Sequence, residues 1–128
     1  MILIDTSVVI DYLRSGDPRL LALFQVHDAA ICGVTRAEVL WGTRSTAHQQ
    51  DLLDTLDSFI QVLIPESLWD AVGGNLAALR SRGVTVPFQD VVIATVAVAN
   101  DIELWTRDNQ FRLIQGVLPQ LRLFQEPP

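Results

Sequence analysis

MILIDTSVVIDYL, residues 1–13, joins an unbroken apolar run to the start of an amphipathic helix. The run Met1–Ile4 is typical of a strand buried on both faces of a parallel sheet. We expect Thr6 or Ser7 to cap the helix that follows it. Asp5 is then placed at the carboxyl end of a central strand, where ligands bind in open α/β sheets. The alternative is that Asp5 only caps this first helix.

Length and composition indicate one globular domain that covers residues 1–128 and has a real core. The apolar run at 91–99 is too short to span a membrane, so no membrane association is expected. No basic region precedes the first apolar run, which argues against a signal peptide. The single cysteine, Cys32, fits a reducing compartment and is predicted to be a small buried residue. These features together predict a cytoplasmic protein.

Helical and strand patterns follow one another along the rest of the chain. After the first strand, further strands are predicted at 29–32, 59–64, 102–106 and 121–124. Thr35 is predicted to cap a helix, with Glu38 completing a capping box in its first turn. The segment after Pro87 is predicted to be a helix buried nearly all round, with Asp90 near its start.

Four acidic residues share the same kind of position in this pattern. Asp5 and Asp108 follow strands, whereas Glu38 and Asp90 lie near helix starts. Strand carboxyl ends and the helix starts after them lie at one edge of a parallel sheet. Four carboxylates gathered there would repel one another and resist ionisation, and a divalent cation such as Mg²⁺ removes that conflict. Paired metal ions can activate a water and stabilise the leaving oxygen of a phosphodiester.

Four stretches of the sequence carry these acids: ILIDTS at 2–7, TRAEVLWG at 35–42, PFQDVVIA at 87–94 and LWTRDNQF at 104–111. Together they resemble the PIN-domain family, and within it the VapC-type toxins of bacterial toxin–antitoxin pairs. They span nearly the whole chain, in order and at the family's spacing. One departure is Gln110, which stands where many relatives have a histidine.

The resemblance implies an α/β protein with a three-layer α/β/α fold and a mostly parallel central sheet. It also implies Mg²⁺- or Mn²⁺-dependent endoribonuclease cleavage of structured RNA, with a 3′-hydroxyl leaving group. It also implies homodimers that are inhibited by a small cognate antitoxin protein. The family's catalytic and metal-binding acids fall on Asp5, Glu38, Asp90 and Asp108. Its supporting hydroxyls fall on Thr6 or Ser7 and on Thr106.

Three other functions are weighed against this one. A housekeeping RNA-processing nuclease would have the same fold, and the sequence hardly separates it from a toxin. A catalytically silent regulatory or protein-binding domain would be indicated by a missing acid, and all four acids are present. A phosphotransferase with Asp5 as nucleophile usually has a second Asp two residues later, where this chain has Ser7.

The net charge of -6, from nine basic against fifteen acidic residues, is unusual for a nucleic-acid binder. Every basic residue is an arginine, which binds phosphate bidentately, and bound metal would neutralise clustered acids. The arginines near the four stretches are the candidate RNA contacts: Arg14, Arg36, Arg44 and Arg107. The alternative is ordinary ion pairing, of Arg36 with Glu38 and of Arg107 with Asp108 or Asp101.

Overall fold

The computed structural model describes all of residues 1–128 and contains seven helices and four strands. In chain order they are β1 (Ile2–Ile4), α1 (Thr6–Ser15), α2 (Pro18–Val26), β2 (Ala29–Cys32), α3 (Gly33–Trp41), α4 (Thr46–Asp57), β3 (Ile60–Val62), α5 (Leu68–Ser81), α6 (Phe88–Ala99), β4 (Leu104–Trp105) and α7 (Gln110–Val117). No helix is both long and apolar enough to cross a membrane.

The four strands form one parallel sheet in the order β3-β2-β1-β4. From β1 the chain moves outward through β2 to β3, and it then returns across the sheet to place β4 on the other side of β1. The strand order therefore reverses between β1 and β4, where Ile4 is paired with Trp105. In open parallel sheets such a reversal opens a crevice at the carboxyl ends of the two strands.

The sheet is covered by helices on both faces, which confirms the predicted three-layer α/β/α fold. Alternate residues of β1 point to opposite layers, because successive side chains in a strand face opposite sides. Ile2 and Ile4 pack with residues of α1–α4, whereas Leu3 packs with residues of α5–α7. Helix α6 is buried continuously from Asp90 to Ala97, as its composition predicted.

The first helix begins differently from the prediction. Asp5, rather than Thr6 or Ser7, is the N-cap of α1, and its carboxylate accepts the Val8 N–H at 3.3 Å. The strand ends at Ile4 and the helix starts at Thr6, so a single residue both leaves the strand and caps the helix. Asp5 therefore does cap the first helix, but this contact involves only its Oδ1 atom.

The capping box predicted at Thr35 and Glu38 is wrong. Strand β2 runs directly into α3, which begins at Gly33 with Cys32 at the cap position. Thr35 is therefore inside the helix and fully buried, and its hydroxyl has no hydrogen-bond partner. Glu38 lies in the second turn of α3 instead of the first, so its side chain is free for contacts across the sheet edge.

The segment after α7 forms no regular strand at 121–124, contrary to the prediction. It meets β4 through one parallel bridge, between Leu123 and Leu104. Leu121 is drawn into the core between the sheet and α5–α7, which removes it from any ladder. The chain nevertheless continues alongside β4 and brings residues 122–126 to the edge of the sheet next to the crevice.

Candidate active site

Asp5 is the central side chain of the crevice between β1 and β4. It is only 3% exposed, and its two oxygens are held from different sides. Oδ1 accepts the Ser7 hydroxyl at 2.6 Å, and Oδ2 accepts the Thr106 hydroxyl at 2.6 Å. Burial raises the pKa of Asp5 above its ordinary value, and these hydrogen bonds oppose that effect. Asp5 is therefore a fixed, partly desolvated carboxylate.

The same hydroxyls tie the end of β4 to the start of α1. The Arg107 backbone N–H donates to Ser7 Oγ at 3.0 Å. The Asp108 backbone N–H donates to Thr106 Oγ1 at 2.9 Å. Each hydroxyl thus donates to Asp5 and accepts from the loop that follows β4. The two predicted supporting residues, Ser7 and Thr106, connect both strand ends through one carboxylate.

The third predicted hydroxyl, Thr6, holds a different acid. Its Oγ1 donates to Glu38 Oε1 at 2.8 Å, and this contact joins α1 to α3. Thr6 and Ser7 therefore both support acidic residues, although the prediction treated them as alternatives. Glu38 is half-buried and keeps its second oxygen, Oε2, without a hydrogen bond from the protein.

Asp90 lies in the first turn of α6 and is 9% exposed. Its pKa is raised from 3.8 to about 7, mainly by burial and then by the negative charges of Asp108, Glu38 and Asp5, in that order of importance. No hydrogen-bond donor contributes to the pKa of this carboxyl. Asp90 is thus a buried acid whose neighbours are three other acids, an arrangement that disfavours its charged form.

Asp108 lies in the loop after β4 and is exposed. Its Oδ1 accepts the Gln110 N–H at 3.0 Å at the start of α7. Its charge acts on both Asp5 and Asp90, because it is one cause of the raised pKa of each. The position at which the family often has histidine, Gln110, contributes its backbone to this site.

The four predicted acids therefore lie near one another, but they are not gathered into ligand geometry. No three acidic, histidine or cysteine side chains are arranged to hold a metal ion. The donor set consists of carboxylate and hydroxyl oxygens, which suits Mg²⁺ or Mn²⁺ better than zinc. Asp90 has a raised pKa and no hydrogen-bond donor, and a bound cation would favour its charged form. The oxygen donors of these residues therefore fit a hard divalent ion.

The four candidate arginines fall into two groups. Arg36 binds Asp57 at 2.8 Å and Gln61 at 3.1 Å rather than Glu38, so the predicted pairing was wrong. Arg14 and Arg44 are exposed, form no ion pair and line a shared depression of about 680 Å³ between α1, α3 and α4.

Arg107 is also paired, but with neither of the predicted partners. It binds Glu126 through two nitrogens, at 2.7 and 3.0 Å, and Asp11 at 3.1 Å. Asp101 instead binds Arg122. Sequence reasoning missed Glu126, because a lone acid before two prolines carries no pattern, and it missed Asp11, which reads as part of a solvated helix face.

Comparison with known proteins defines the class. A family model described as PIN domain matches residues 2–117. Ribonuclease VapC32 of Mycobacterium tuberculosis is 31% identical over 114 residues, which cover 88% of this chain and 88% of that protein. Ribonuclease VapC1 of Methanocaldococcus jannaschii is 28% identical over 109 residues, which cover 85% of this chain and 76% of that protein.

The fold agrees with that of a solved structure. VapBC2 from Rickettsia felis, bound to a promoter DNA fragment, superposes with a TM-score of 0.84 at 20% sequence identity, covering 99% of this chain and 100% of that one. The chain belongs to the PIN-domain family. Within that family it is similar to the VapC proteins, which confirms the resemblance predicted from its four sequence stretches.

Proposed function

We propose that the protein is a metal-dependent endoribonuclease that acts as the toxin of a toxin–antitoxin pair. The observation that carries the proposal is Asp90, an acid at the strand-reversal crevice that has no hydrogen-bond donor and whose pKa is raised by burial and by three neighbouring acids. Structural carboxylates are normally paired with donors or cations, so this arrangement points to function. Two relatives named as VapC ribonucleases support the assignment of RNA as the substrate.

Asp5, Glu38, Asp90 and Asp108 would hold Mg²⁺ or Mn²⁺, which when bound supplies an activated water and stabilisation of the leaving oxygen of the phosphodiester. The rest of the work is done by the protein's own contacts. Ser7 and Thr106 hold both oxygens of Asp5 in place, and Thr6 holds one oxygen of Glu38. These bonds fix the direction of the carboxylates before substrate arrives, which is the outer-shell support that metal ligands commonly have.

The negative net charge requires specific contacts for RNA. Arg36 and Arg107 are engaged with acids, so we propose Arg14 and Arg44 as the better candidates among the four predicted arginines. Arg112 is a further candidate, since it is exposed, has no ion-pair partner and lines a polar depression together with Asp108. An arginine side chain can bind two phosphate oxygens at once, so these residues would hold the RNA backbone on the protein surface.

We also propose that the toxin is held inactive by a small antitoxin protein and that it forms homodimers. The similar Rickettsia structure is a VapBC complex, which supports a protein partner. Large exposed apolar side chains such as Trp41, which is 89% exposed, and Leu63, which is 82% exposed, provide surface for protein contacts. The homodimer rests on the family resemblance alone.

The direct test is cleavage of a structured RNA by wild type, Asp5→Asn and Asp70→Asn in Mg²⁺, Mn²⁺ and EDTA. Asp70 is an exposed helix-start acid outside the crevice and provides a matched control. We expect wild type and Asp70→Asn to cleave only with metal and to leave 3′-hydroxyl ends. Asp5→Asn should lose more activity than the roughly 10–100-fold that outer-shell changes cost. Full activity of Asp5→Asn would refute the proposed site.

Growth experiments separate the toxin from the two alternatives. Expression of a toxin arrests growth, and co-expression of its antitoxin restores it, whereas a housekeeping nuclease is tolerated. A catalytically silent regulatory domain would cleave nothing in any metal. Growth arrest that persists unchanged in Asp5→Asn would contradict the claim that the toxicity comes from RNA cleavage.

A further inference from the structure

Glu126 accepts three side-chain hydrogen bonds from Trp105 and Arg107. Its Oε1 accepts the indole N–H of Trp105 at 2.7 Å and the Arg107 Nε–H at 2.7 Å. Its Oε2 accepts an Arg107 Nη2–H at 3.0 Å. Bidentate carboxylate–guanidinium pairs are among the stronger hydrogen-bonded contacts in proteins and are geometrically specific. Arg107 lowers the pKa of Glu126, which keeps this carboxylate charged.

The position of Glu126 is fixed by the segment that carries it. Leu121 is buried in the core, and Leu123 bridges to Leu104 of β4. The Phe124 N–H donates to the Leu104 carbonyl at 2.8 Å, and the Phe124 ring packs 5.0 Å from the Trp105 ring. Glu126 lies two residues after Phe124, so these packing contacts and hydrogen bonds hold its carboxylate next to the end of β4.

The residues that Glu126 holds are the ones that lead into the crevice. Trp105 is the last residue of β4 and is fully buried, so its indole N–H requires a partner. The backbone N–H of Arg107 donates to Ser7, and Ser7 donates to Asp5. A second path runs from Thr106 to Asp5, and Thr106 also accepts the backbone N–H of Asp108.

We propose that Glu126 is a positioning residue for the active site, which clamps Trp105 and Arg107 and so fixes the loop 106–108 that orients Asp5 and presents Asp108. This inference rests on the proposed function. Glu126 lies outside residues 2–117, the part of the chain that the family model matches. Asp11 completes the clamp from α1 by binding the remaining Nη1 of Arg107 at 3.1 Å.

The test compares Glu126→Gln with Glu66→Gln in wild-type background. Both variants make the same chemical change, and the Glu66 side chain is exposed and makes no hydrogen bond or ion pair. Since outer-shell changes cost roughly 10–100-fold, we expect Glu126→Gln to lower kcat about tenfold and to raise the Mn²⁺ concentration needed for half-maximal activity, with KM for RNA changed by less than about twofold. Glu66→Gln should match wild type in all three quantities.

A merely stabilising role for Glu126 predicts a different result. In that case Glu126→Gln would lower the melting temperature but keep the kcat and metal requirement of wild type at temperatures where both are folded. That result overturns the proposal. A double-mutant cycle with Arg107→Gln provides a second test of the proposal. If Glu126 acts through Arg107, the loss of kcat in the double variant should be much smaller than the product of the two single losses. Independent, multiplicative losses would contradict the clamp.

Amide and indole N–H resonances test the clamp without any catalysis. In Glu126→Gln we expect the Trp105 indole N–H to shift, together with the backbone amides of Ser7, Arg107 and Asp108. Shifts confined to residues next to 126 would overturn the proposal. If wild type cleaves no RNA, the proposed function fails on its own, and these resonances still decide whether Glu126 fixes the loop.

Discussion

At the residue scale, Asp70 and Asp90 show how the burial of an aspartate determines its pKa and its effect on stability. Each is the third residue of its helix, α5 and α6 respectively. Asp70 is exposed, whereas Asp90 is buried and its pKa is raised from 3.8 to about 7. Because the raised pKa belongs to the folded state, the stability that neutral Asp90 provides is complete below pH 3.8 and is lost as the pH rises through 7.

Asp90→Asn removes this pH dependence, because the amide stays neutral. In EDTA, we expect the variant and wild type to be about equally stable near pH 4. Above pH 7 the variant should be more stable by on the order of 2 kcal/mol, which is less than the full shift implies because solvent still reaches the carboxyl. Urea unfolding at several pH values measures this difference, and RNA cleavage should be lost in the same variant.

Asp70→Asn is the control for that experiment. It alters an acid at the same helix position, but one that is exposed to solvent. Its stability relative to wild type should not change sign or grow between pH 4 and pH 8. A stability gain above pH 7 that is equal in the two variants would show that burial and repulsion at Asp90 are not its cause.

At the element scale, the junction between β1 and β4 organises the site. The buried strand β1 and the sheet edge at its carboxyl end could be predicted from the sequence, because burial patterns along strands and helices are local properties. The three layers were predicted from the family resemblance. The starts of α1 and α3 could not be predicted in the same way. At most one residue separates β1 from α1 and β2 from α3, so Asp5 and Cys32 take the cap positions.

Long-range side-chain contacts also could not be predicted from the sequence. Arg107 pairs with Asp11 and Glu126, which lie 96 and 19 residues away along the chain. Their meeting depends on the strand order and on the path after α7, and no local pattern encodes either. The nearness of the four acids was easier to predict, because each follows a strand or lies near a helix start at the same sheet edge.

Thr106→Val tests the junction itself. Valine keeps the shape of the side chain but removes the donor to Asp5 Oδ2 and the acceptor of the Asp108 N–H. We expect activity to fall by roughly 10–100-fold and stability by about 1–3 kcal/mol, since both former partners are left without the bond. The measurements are initial cleavage rates and urea unfolding.

Thr85→Val is the matched control, because Thr85 is exposed and its hydroxyl makes no hydrogen bond. It should behave like wild type in both measurements. If Thr106→Val also keeps wild-type activity, the hydroxyl does not support Asp5, and the connection between β1 and β4 is only structural.

At the scale of the whole molecule, charge is the feature that needs explanation. The formal net charge is -6, and the four crevice acids supply -4 of it when they are ionised. If they bound two divalent ions, the net charge would move from -6 by +4 to about -2. Metal would then relieve repulsion within the folded protein and also lower the barrier to an approaching RNA.

The central claim, that these four acids form one divalent-metal site, is tested most directly by melting curves with and without metal. A ligand that binds only the folded state raises the melting temperature by mass action. We predict that millimolar Mn²⁺ raises the melting temperature of wild type and Asp70→Asn by at least about 3 °C relative to EDTA, and that of Asp5→Asn much less. An equal rise in all three proteins would contradict the claim.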